Sequence, residues 1–168
     1  MMGFLGNQLL VNGRPDVTLP VAARAYRLRL LNGSNSRIYK LGWEDGSPLT
    51  VIGTDGGLLE KPVERPYLTL APAERIDIWV DFEGYAIGAE LKLVNLPFTV
   101  GEFQSGEFPV LIARSDREAT DNVALPEKLS LPAFLSVADS ERTRTVTLSM
   151  QGGWTLNGRT FEMTSVTD

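Results

Sequence analysis

The chain contains no cysteine and no histidine. Without cysteine it can form neither a disulfide framework nor a thiolate metal site. Without histidine it lacks the commonest transition-metal ligand and the usual general base near neutral pH, so nucleophilic arrangements of the Ser-His or Cys-His kind are excluded. Positive charge is not in surplus either. A formal net charge of -5 and a pI near 4.8 argue against nucleic acid as a partner, because neutralising phosphates takes an excess of Lys and Arg. No apolar run approaches membrane-spanning length, so no membrane partner is expected. The start, Met1-Met2-Gly3-Phe4-Leu5-Gly6, has neither the basic stretch nor the long apolar core of a secretory leader. A sustained helical period is also missing.

What is present reads as strands. At 168 residues the chain can bury one ordinary core and hold part of a second domain. "RIDIWVDF" sets Ile76, Ile78, Val80 and Phe82 against Asp77, Trp79 and Asp81, the period-two pattern of a half-buried strand. "RAYRLRLLN" sets Tyr26, Leu28 and Leu30 against Arg27 and Arg29, and "RTRTVTLSM" sets Val146, Leu148 and Met150 against Thr145, Thr147 and Ser149. Arg24, Arg27, Arg29 and Arg37 then form a solvated face. The shorter runs "SRIYKLG", "LTVIG", "ELKLVNL" and "FPVLIAR" lie between Asn-Gly, Asp-Gly and Pro-containing turns. Many short strands predict an antiparallel sandwich or barrel; the alternative is a mixed fold with helices that the pattern hides.

From Thr120 to Asp139 the alternation stops and prolines are spaced through mixed polarity, as in a linker or an irregular strap. Beyond it "WTLNGRTF" echoes "LLVNGRP", placing Asn157 about one domain length after Asn12. The echo suggests that a second copy of the same domain type begins there.

Candidate chemistry is sparse. "VIGTDGGLLEKPV" offers Asp55, Gly56 and Gly57 either as a phosphate cradle or as a turn. A cradle needs a following helix, and Pro62 and Pro66 disfavour one. A turn has Asp55 capping it and the glycines at positive φ. Glu74, Asp77, Asp81 and Glu83 are close enough in sequence for a hard-cation site or an acid/base pair, the alternative being a solvated strand face. Ser34 and Ser36 have only carboxylates or Lys40 to activate them. No catalytic or metal-ligating residue is assigned from these patterns, and an independent carboxylate hydrolase lacks a supporting constellation.

"YRLRLLNGSNSRIYKL" and "LTVIGTDGGLLEKPVERPYLTLAPAERIDIWVDF" resemble the middle (second) cupredoxin domain of three-domain multicopper oxidases, the group of bacterial laccases, bilirubin oxidases and cuprous oxidases. The resemblance runs from about Gly6 to Phe82 and is looser to Arg114. It resumes in "SMQGGWTLNGRTFEM", which is similar to the opening strand pair of the third domain. It implies an all-β, cupredoxin-like Greek-key β-sandwich. Residues 1–119 would be the middle domain without copper, 120–141 the linker or strap and 142–168 the opening strands of a following cupredoxin domain.

In such oxidases the coppers sit on His, Cys and Met of the outer domains, which implies no cofactor in this chain and copper in the parent protein. Arg37, Tyr39 and Leu41 stand where an outer domain carries ligands, and resemble residues that only pack. The implied role is non-catalytic: to space the copper-bearing neighbours and wall part of the substrate approach, with Asn35, Ser36 and Arg37 as the candidate rim. Asp55, Gly56, Gly57, Glu74, Arg75 and Asp77 become a structural turn and strand motif, with Glu74 and Arg75 pairing locally. The implied partners are the neighbouring cupredoxin domains, with self-association through apolar surface those neighbours would cover; the implied parent is periplasmic or secreted. The alternative is a copper-free scaffold or binding module, since the family also holds members that have lost copper and serve as periplasmic scaffolds in cell division.

Overall fold

In a computed structural model of the chain, residues 4–98, 106–131, 133, 135–150 and 152–160 are described. The chain divides into two compact units, Met1–Pro132 and Ala133–Asp168, so the division falls inside the stretch expected to be a linker or strap. No α-helix occurs among the described residues, which removes the mixed-fold alternative there.

The first unit is a two-sheet sandwich. One sheet has the order β1-β9-β8-β3-β6, from β1 (Thr18–Ala22), β9 (Phe108–Arg117), β8 (Glu90–Asn95), β3 (Tyr39–Trp43) and β6 (Leu68–Leu70). The other has the order β2-β7-β4-β5, from β2 (Ala25–Leu31), β7 (Arg75–Asp81), β4 (Leu49–Thr54) and β5 (Gly57–Arg65). Neighbours in sequence lie in different sheets at several points, as in a Greek key. The pairing is antiparallel except for β1 with β9, which run parallel from Thr18 opposite Ile112. Parallel neighbours need a long crossover, and here the seven strands between them in sequence supply it.

The period-two patterns bury as their chemistry dictates. Ile78, Val80 and Phe82 are in the core with Leu49, Val51, Leu91, Leu93 and Leu111, while Ile76 packs half-buried at its margin. Phe82 lies edge-on between Tyr26 and Tyr85, with ring centroids 5.9 and 5.4 Å away. The Tyr26 hydroxyl accepts the Ala22 N–H at 2.8 Å, fixing the two-residue step by which the chain leaves β1 for β2 in the other sheet. On the outer face of β2, Arg27 pairs with Asp77 of β7.

"SRIYKLG" starts as a strand only at Tyr39, because Ser36, Arg37 and Ile38 lie in the loop that Asn32 ties down. After β9 the chain runs without regular structure and is tied to both edge strands of the four-stranded sheet. Asn122 Oδ1 accepts the Ala25 N–H at 2.8 Å at the start of β2, and the Leu129 N–H donates to the Glu60 carbonyl on β5 at 2.8 Å.

The second unit contains a 3-10 turn (Val137–Asp139) and a small hairpin, β10 (Leu148–Ser149) with β11 (Thr155–Leu156). The strand expected over "RTRTVTLSM" is therefore reduced to two residues. Val146, Leu148 and Met150, read as its buried face, are 63%, 66% and 65% exposed. Among the described residues of that unit no second layer covers them, and a strand without a facing layer gains little from its apolar side. The Asn-Gly echo is real in geometry: Asn12 and Asn157 take φ of 50° and 52°, and the bridges Val11–Arg14 and Leu156–Arg159 close the same tight turn twice.

Candidate functional site

The loop leaving β2 is organised by one buried side chain. Asn32 is 3% exposed, and its amide donates to the carbonyls of Arg37 at 2.7 Å and Leu70 at 2.9 Å while its Oδ1 accepts the Ser34 N–H at 2.9 Å. Its own carbonyl accepts the Ala73 N–H at 2.8 Å. A buried amide with its capacity filled fixes whatever it bonds, so residues 33–38 are held against the turn before β7. On this loop Asn35 is exposed and Ser36 half-buried. Arg37 donates to the Gly6 carbonyl at 3.0 Å and lies 6.0 Å from the centroid of the Phe108 ring, so its cation faces the N-terminal segment and β9. Ser34 Oγ meets the Tyr39 hydroxyl at 3.1 Å, and among the described residues no base is bonded to Ser34 or Ser36. Tyr39 and Leu41 are buried in the core.

The Asp-Gly-Gly stretch joins β4 to β5 as a hairpin turn, and no helix follows it. Gly57 takes φ of 115°, whereas Gly56 is not left-handed, so only one of the two glycines uses the freedom expected of both. Asp55 Oδ1 accepts from Arg75 twice, from its backbone N–H at 3.0 Å and its guanidinium at 2.9 Å. Arg75 therefore pairs with Asp55 and not with Glu74. The Glu74 carboxylate instead accepts the Ala71 N–H at 2.6 Å, capping its own turn. Close by, β4 is bulged between Val51 and Gly53. A Cβ at Gly53 would stand 3.1 Å from the Gly57 carbonyl and 3.3 Å from Asp77 Cβ, so a larger residue at the bulge would press on the β5 backbone and on Asp77. The Asp55–Arg75 pair thus fastens the β4–β5 hairpin to the start of β7.

The four acids considered for a cation or acid/base site are dispersed among separate tasks. Glu74 caps a turn, Asp77 pairs with Arg27, Asp81 accepts the Glu83 N–H at 2.9 Å and Glu83 accepts Asn122 at 2.7 Å. Among the described residues no three His, Cys, Asp or Glu side chains converge. A blue-copper centre asks for histidine and cysteine donors, which the sequence does not contain, so the residues present do not fit that metal.

Among the described residues, three buried polar side chains carry no motif in the sequence. Besides Asn32 these are Asn95, whose Oδ1 accepts the Lys40 N–H at 2.9 Å and whose amide donates to the Gly106 carbonyl, and Ser115, whose hydroxyl has no partner among the described residues. Only the placing of Asn32 and Asn95 at the ends of apolar strands hinted that they would be drawn inward.

No family model matches the chain. A laccase from Bacillus stratosphericus is 35% identical over 152 residues, covering 86% of this chain and 29% of the laccase. The cell division protein FtsP of Xenorhabdus nematophila is 46% identical over 103 residues, covering 61% of this chain and 20% of its own length. Among solved structures, the McoA multicopper oxidase of Aquifex aeolicus superposes with a TM-score of 0.83 at 36% identity, over 95% of this chain and 36% of that one. The chain thus spans less than a third of the length of these two curated relatives. It is a homologue of the multicopper oxidases, an all-β cupredoxin-like sandwich with the share of length that a single domain of such a protein takes.

Proposed function

We propose that the chain is the middle, copper-free cupredoxin domain of a multicopper oxidase, spacing copper-bearing neighbours and walling part of the approach to their substrate site. The observation that carries this is the pairing of a cupredoxin-like core, matching McoA over 95% of the chain, with strand positions taken up by packing. Tyr39 and Leu41 are core residues and Arg37 is engaged with Phe108, leaving no donor set on that strand. The rim role falls to the loop of Asn35, Ser36 and Arg37, which Asn32 holds in one arrangement.

On this proposal residues 1–119 form the middle domain, 120–141 the strap and 142–168 the opening strands of the next domain. The repeated Asn-Gly turn supports the last assignment, as does the uncovered apolar face of the β10–β11 hairpin. The neighbouring domains are the proposed partners, and the isolated chain self-associates through surface they would cover. The similarity to FtsP, at 46% identity over 103 residues, favours a second possibility: a copper-free scaffold whose outer domains also lack ligands.

Sequencing the coding DNA on both sides of this segment separates the two. An open frame with His-X-His motifs upstream and a His-Cys-His motif downstream supports the oxidase spacer. A frame that continues without those histidines, or is closed at both ends, overturns it in favour of the scaffold.

A further inference from the structure

β2 is an edge of its sheet, with β7 as its only neighbour among the described residues. The Asn32 N–H donates to the Glu74 carbonyl and the Phe82 N–H to the Arg24 carbonyl. Backbone groups of the even-numbered residues therefore face β7, and those of Arg27, Arg29 and Leu31 face outward. Ala25, the remaining odd position, already has its N–H bonded to Asn122. Such a row of open donors and acceptors is a template for another strand. Alongside it the sandwich gapes: a cavity of about 560 Å³ is lined by Leu9, Val11, Leu19, Leu28, Leu30 and Val110 among others, a size within the usual range of ligand pockets. On the outer side of the same edge stand Arg27 and Arg29, with Asp77 of β7 opposite Arg29 in the register. Arg27 is neutralised by Asp77, whereas Arg29 has no ion pair among the described residues.

We propose that the β2 edge is a docking site for an extended peptide segment of alternating apolar and acidic residues, added as an antiparallel strand. Its apolar side chains, at every second position, enter the cavity against Leu28 and Leu30, and the acidic ones between them lie on the outer face at Arg29. Main-chain bonds to Arg27, Arg29 and Leu31 supply affinity, and the alternation supplies selectivity. A second copy of β2 is the wrong occupant. Antiparallel self-pairing sets Arg27 opposite Arg29 in one register and Arg29 opposite itself in the other, and like charges directly opposed are destabilising.

The test is fluorescence anisotropy with a fluorescein-labelled Glu-Val-Glu-Val-Glu-Val-Glu peptide and the full 168-residue chain. Saturable binding is expected, weakened at least about tenfold when lysine replaces glutamate in the peptide or when the chain carries Arg29→Glu. Leu31→Pro deletes one outward N–H without touching a β2–β7 bond and is expected to weaken binding about fivefold or more. Circular dichroism checks that both variants remain folded. Methylating the backbone nitrogens of the peptide glutamates removes the same bonds with the chain unaltered, and is expected to abolish binding. Absence of saturable binding, equal binding of the lysine peptide, or binding indifferent to N-methylation overturns the proposal.

Discussion

At the scale of single residues, the fold depends on a few polar side chains placed where they cannot be ignored. Asn32 satisfies the carbonyls of Arg37 and Leu70 and the N–H of Ser34 from a buried position. Asn32→Ala leaves these groups unpaired beside a small void, and urea unfolding is expected to show a loss of about 2–3 kcal/mol. Ala73 holds φ of 69° in the turn between Pro72 and Glu74, a conformation that glycine adopts without steric cost. Ala73→Gly is expected to stabilise by about 0.5 kcal/mol, the relief of strain exceeding the added freedom of the unfolded chain; a lower Tm would contradict this. Asp45 accepts both the hydroxyl and the N–H of Ser47, at 2.7 and 2.9 Å, and these bonds hold its carboxyl below the ordinary aspartate range. Because the folded value is the depressed one, its contribution to stability is present above the unfolded value and is lost as pH falls through the folded value. Ser47→Ala is expected to raise the Asp45 titration midpoint in carboxyl-detected NMR.

At the scale of elements, the strap after β9 works through few contacts. Asn122 alone bonds the Ala25 N–H and the Glu83 carboxylate, and Ser130 Oγ donates to the Leu59 carbonyl at 2.9 Å. These groups are exposed, so each is worth little to global stability. Asn122→Ala is expected to cost about 0.5–1 kcal/mol and to speed hydrogen exchange at Ala25 while leaving the β7 amides protected. What the sequence could disclose about elements follows from the same physics. Alternation located Ile78, Val80 and Phe82 in the core, because a half-buried strand must alternate. It misplaced Val146, Leu148 and Met150, because alternation records a face that can be covered and not one that is. The Asp55–Arg75 pair was hidden by 20 residues of separation, and adjacency pointed to Glu74 instead. Asn95 and Ser115 carried no pattern, since one buried polar atom imposes no period.

At the scale of the whole molecule, a cupredoxin-like core with neither histidine nor cysteine is joined in one chain to a hairpin with an exposed apolar face. Val146, Leu148, Met150, Trp154 and Leu156 are each more than half exposed, and Leu148 stands opposite Leu156 in the register. Sedimentation velocity is expected to show association that grows with concentration and is suppressed by the double substitution Leu148→Glu, Leu156→Glu. A concentration-independent monomer would contradict it. The most direct test of the central claim is equilibrium dialysis of the purified chain against cupric and then cuprous ion, with copper content and visible spectrum read together. The proposed copper-free domain retains well below one copper per chain and stays colourless; one tightly held copper per chain with an intense blue absorption contradicts it.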